Sequence, residues 1–144
     1  MLKNIGLYIG FALSLLVIVG CDEEGRGFSL PPGDAETGKE VFQQLGCIGC
    51  HSIRGEDLKG DDRELLVILG GPTSRVKSYG DLVTSVINPS HKIARAVTGE
   101  AINEDGLSKM KIYNEVMTVQ QLVDLVTYLQ ATYEVLPPTP YYPI

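Results

Sequence analysis

Cys47-Ile48-Gly49-Cys50-His51 lies in a chain of 144 residues that holds only three cysteines and two histidines. A Cys-x-x-Cys-His string arises by chance from this composition on the order of 10⁻³ times. The spacing has a chemical purpose. Two thiols three residues apart can add across the two vinyl groups of a haem as thioethers, and the adjacent imidazole is then held under the iron. Other uses of the same residues lack support elsewhere in the chain. A redox-active Cys-x-x-Cys belongs in a βαβ setting, and none is readable here. A structural zinc site needs a fourth ligand, and the other histidine, His91, comes without a second cysteine pair. A disulfide between Cys47 and Cys50 leaves His51 without a role. The motif therefore assigns one covalently bound haem c, carried on Cys47 and Cys50 with His51 as an iron ligand.

Working outward, Asp34 is placed to cap a helix from about Ala35 to Leu45 that Gly46 stops. Downstream, Glu56, Asp57, Asp61 and Asp62 make a polar loop. The apolar run Leu65 to Leu69 is too short for its periodicity to separate a helical turn from an extended segment. Ser78-Tyr79-Gly80-Asp81 opens a second helix that must stop before Pro89. Residues 94–109, containing Gly and acidic residues, read as mostly loop. Thr118-Val119-Gln120-Gln121 is a capping box, and it opens the strongest helix of the chain, about 119–133. Its apolar stripe is Leu122, Leu125, Val126 and Leu129, with Asp124 and Gln130 outside the stripe. The tail from Leu136, with four prolines among its last eight residues, is expected to be extended.

From Asp34 to Tyr133 the chain resembles a class I monohaem cytochrome c. Gly38, Lys39 and Phe42 match the family's Gly-Lys-x-x-Phe, and Asp124-Leu125-Val126-Thr127-Tyr128-Leu129 matches its last helix. The resemblance implies an all-α cytochrome c fold, a small helical domain around one haem with N- and C-terminal helices crossing. Gly38 would allow the close approach, and Phe42 would pack on the last helix. It also implies a methionine as sixth ligand. Gly106-Leu107-Ser108-Lys109-Met110-Lys111-Ile112-Tyr113 is similar to the family's Gly-x-Met-Pro-x-Phe/Tyr segment and points to Met110. The other candidates are Met117, better placed as a packing residue before the last helix, and His91. Lys111 stands where the family usually has Pro, and the lost stiffness would make a Met–iron bond easier to open. The family holds its histidine by the carbonyl of a Gly-Pro segment, so Gly71-Pro72 nominates the Pro72 carbonyl as the partner of His51. There is no Trp to contact a haem propionate; Tyr79, Tyr113 and Arg75 are the substitutes on offer.

Residues 1–20 read as an export signal. Lys3 is the one charge, and the apolar run that follows is short for a membrane span of about 20 residues. Ile18-Val19-Gly20-Cys21 resembles a bacterial lipobox, which implies lipidation of Cys21. Asp22 behind it leans toward inner-membrane retention. Residues 21–33 then form a flexible tether, 34–134 the cytochrome domain and 135–144 a Pro/Tyr-rich extended tail. All three cysteines are thereby accounted for.

The net charge is −6, which argues against nucleic acid as a partner. Arg75, Lys77, Lys92, Arg95, Lys109 and Lys111 nonetheless gather around the methionine segment, as a weakly basic docking rim would. The combined expectation is a membrane-tethered, extracytoplasmic electron carrier. Its partners would be redox proteins and, through lipid, the membrane, with no small-molecule substrate required. The alternatives are a haem subunit of a membrane-bound dehydrogenase or reductase, with the tail as a strap, and a small-ligand sensor with open iron.

Overall fold

Asp34 opens the first helix as its side chain dictates: Oδ1 accepts the Thr37 backbone N–H at 2.7 Å. In the computed structural model, which describes residues 30–58, 67–75, 77–93 and 101–137, this helix is α1, Ala35–Gln44. It ends where Gly46 takes a φ of 72°, a turn that a side chain would resist. A second helix, α2, runs Tyr79–Ile87 from a Ser78 cap and stops at Asn88, one residue before Pro89. The third, α3, spans Val119–Ala131 with the full capping box: Thr118 Oγ1 accepts the Gln121 N–H, and Gln121 Oε1 accepts the Thr118 N–H. The leader at 1–20, Cys21 and most of the tether lie outside the described residues. Among the described residues no helix is long and apolar enough to cross a membrane.

The core forms where α1 meets α3. Val41 and Phe42 of α1 pack with Leu125, Val126, Tyr128 and Leu129 of α3, joined by Ile53 and by Leu82 and Val86 of α2. The Phe42 and Tyr128 rings meet edge to face, with centroids 5.9 Å apart. Gly38 is what permits this contact. A Cβ there would run into the Asp124 carbonyl and lie 2.8 Å from the Tyr128 Cβ.

Asp124, outside the apolar stripe, is nonetheless buried. It is only 4% exposed, and its Oδ1 accepts both the Asp34 backbone N–H and the Gln120 side-chain amide, each at 2.9 Å. The carboxylate thus satisfies an orphan donor at the start of α1 from within α3, a partner 90 residues away. Asp124→Ala leaves that donor without its charged partner at a part-buried junction of α1 and α3. The expected cost is about 1–3 kcal/mol, read as a lower denaturant midpoint at unchanged slope.

The all-α expectation is corrected in the connections. Among the described residues, four three-residue strands make two parallel pairs: β1 (His51–Ile53) with β2 (Val67–Leu69), and β3 (Gly71–Thr73) with β4 (Tyr133–Val135). The run ending at Leu69 is therefore extended over its described part. Pro72 is tolerated because its two-stranded sheet leaves one edge of β3 unpaired. The pairing with β3 also explains why α3 stops two residues short of Tyr133. Gly71 N–H binds the Thr132 carbonyl at 2.8 Å, and the chain then runs on as a strand.

Candidate haem site

The haem motif begins at the left-handed Gly46. From there Cys47–Gly49 winds into a single 3-10 turn, with the Gly49 N–H on the Gly46 carbonyl and the Cys50 N–H on the Cys47 carbonyl. The turn leaves Cys47 half-buried and Cys50 exposed, and neither is in a disulfide. Burial pushes the Cys47 thiol upward from its ordinary value, so it stays protonated near neutral pH.

His51 starts β1, opposite Val67. Its Nδ1 lies 3.3 Å from the Val67 carbonyl oxygen. A carbonyl only accepts, so Nδ1 carries the proton and Nε2 keeps its lone pair. Burial lowers the imidazole pKa, which favours the neutral form that a metal requires. The expectation for Pro72 is corrected here. Pro72 sits in the other sheet, opposite Glu134, and the strand register hands its role to Val67. No sequence signal marks Val67 for this, since every residue offers a carbonyl.

The methionine segment is brought to the same place by Tyr113. Its buried hydroxyl donates to the Leu45 carbonyl at 3.1 Å and lies beside the Cys47 thiol. Met110, three residues earlier, is half-buried at the foot of a hydrogen-bonded loop. Ile102 and Ser108 form an antiparallel bridge, Lys109 N–H binds the Ala101 carbonyl, and Asn103 Oδ1 accepts the Leu107 N–H. The stretch expected to be mostly loop is, over its described part 101–109, a small loop closed by these hydrogen bonds. Met117 packs against the core cluster, as its place before α3 suggested. His91 is exposed in the turn after α2.

Of the proposed propionate contacts, Tyr113 has its hydroxyl committed to Leu45. Tyr79 packs against the core, and Arg75 is exposed. Lys77, Lys92, Lys109 and Lys111 are exposed as well, while Arg95 lies outside the described residues. Lys39 forms an ion pair with Glu56 at 2.7 Å, which ties α1 to the turn that follows β1. Among the described residues no three His, Cys, Asp or Glu side chains are grouped to hold a metal ion between them.

The family model described as cytochrome c matches residues 35–132, from the first residue of α1 to the cap of α3. The chain belongs to the cytochrome c family. No curated protein and no solved structure matches it. Cytochrome c membership implies covalently bound haem c, carried on a helical fold, and points to haem-based electron transfer. In this cytochrome the Cys-x-x-Cys-His string falls within the matched span, between the two helices that make the core.

Proposed function

We propose that this cytochrome is a membrane-tethered, extracytoplasmic electron carrier of the class I monohaem type, with Cys47 and Cys50 holding one haem c and His51 and Met110 as axial ligands. The observation that carries the reading is the Nδ1-protonated, half-buried His51 beside two free thiols, a donor set that fits haem c. When bound, the haem supplies a one-electron Fe(III)/Fe(II) couple, and the Met thioether favours the ferrous side.

The chain's own residues set the conditions for that couple. The Val67 carbonyl fixes the His51 ring plane and raises the basicity of Nε2. Phe42, Leu125 and Leu129 keep the core behind the motif dry. The exposed Arg75, Lys77, Lys92, Lys109 and Lys111 give a basic rim that would steer acidic redox partners. Residues 1–20 serve as leader, Cys21 as the lipidated anchor and 21–33 as tether, with an inner-membrane lean from Asp22.

One observation favours a stable-subunit reading as the second choice. Val135 and Leu136, 51% and 46% exposed, lead into the Pro/Tyr-rich tail, where an apolar strap for a partner would begin.

The test combines denaturing intact-mass analysis with potentiometry of the purified holoprotein. One haem mass per chain, retained in denaturant, and a reversible one-electron wave are expected. Haem that dissociates on denaturation, or a mass unchanged from the bare chain, would overturn the assignment.

A further inference from the structure

Lys111 occupies the place where the family's proline would stiffen the methionine loop, yet this loop is held by side chains. Ser90, in the turn after α2, accepts the Ser108 backbone N–H on its Oγ at 3.1 Å. Ser108 in turn accepts the Met110 backbone N–H on its own Oγ at 3.2 Å. The two bonds run in series from the end of α2 to the backbone of Met110. On the far side, the Lys111 ammonium sits over the Tyr113 ring, 5.3 Å from its centroid, and the Tyr113 hydroxyl is fastened to Leu45. Met110 is therefore gripped from both directions. The serine side is tied to the turn after α2 and the tyrosine side to the end of α1, so the loop is held at two separate places.

We propose that Ser90 and Ser108 are positioning residues that keep Met110 in place and so close the iron to outside ligands, a function the missing proline does not serve here. The inference rests on Met110 being the sixth ligand. It explains how a chain with Lys111 acts as an electron carrier and not as an open-haem sensor. Both hydroxyls are on short side chains with little rotamer entropy to lose, which makes the clamp inexpensive to hold. Ser108 uses the short-range geometry in which a serine hydroxyl bonds a backbone N–H two residues on.

The experiment is stopped-flow binding of imidazole to the ferric holoprotein, in which Met110 must leave before the probe enters. Ser90→Ala and Ser108→Ala are each expected to bind imidazole about fivefold faster than the parent, the factor that one lost hydrogen bond is worth. Ser108→Thr keeps the hydroxyl and is expected to bind at the parent rate. The double variant Ser90→Ala/Met110→Ala is expected to match Met110→Ala alone, because no ligand remains to be held. Parent-like rates in both alanine variants, with Met110→Ala fast, would overturn the clamp and leave Met110 as ligand. A Met110→Ala rate equal to the parent would instead remove the ligand assignment on which the clamp rests.

Discussion

Gly38→Ala is expected to lower the stability of the domain by about 2–3 kcal/mol, against the roughly 1 kcal/mol gain that Ala normally brings inside a helix. The reason is where the new methyl group would go. Gly38 is buried in α1 against the backbone of α3, and the Cβ would overlap the Asp124 carbonyl and crowd the Tyr128 Cβ. A flexible side chain could swing aside, but a helix backbone cannot. The two helices must separate, which loosens the Phe42–Tyr128 contact and the Asp124 bond to Asp34 together. Equilibrium denaturation of the holoprotein reads the loss, and less haem is expected to be retained per chain during expression. A stability equal to or above the parent would show that the helices do not depend on this approach.

Met110→Ala is expected to lower the midpoint potential by on the order of 0.1 V or more, within the range that axial ligands set. The thioether favours the ferrous iron, and a water or hydroxide in its place does not. Met117→Ala acts differently, because Met117 packs against the core before α3. That variant is expected to lose about 1–2 kcal/mol of stability with a potential near the parent's. A spectroelectrochemical titration separates the two, and a large drop in the Met117 variant with none in the Met110 variant would reverse the assignment.

How far these results were readable from sequence depends on the range of the interaction concerned. The starts of the three described α-helices were legible because Asp34, Ser78 and Thr118 bond backbone groups three residues away, and Gly46 and Pro89 act on their neighbours. Gly38 and Phe42 were legible through resemblance, since their partners on α3 lie more than 80 residues on. The strands were not. Three-residue parallel pairs carry no periodicity of their own and exist because β1 and β3 find partners elsewhere in the chain. The burial of Asp124 was not legible either, because nothing nearby in sequence announces the Asp34 N–H it satisfies. The same limit applies to the site. Cys47, Cys50 and His51 stand together in a short motif, whereas the Val67 carbonyl and the Ser90–Ser108 relay depend on how separate segments fold together. Gly and acidic residues mark 94–109 as loop, but not how that loop closes. Asn103 and Gly106 make the turn that closes its described part.

The most direct test of the whole account is the absorption spectrum of the oxidised holoprotein. A low-spin ferric haem c with a methionine-to-iron charge-transfer band is predicted for the parent and for Met117→Ala, with the band absent from Met110→Ala. A band that survives in Met110→Ala, or that is missing from the parent, would contradict His51/Met110 ligation.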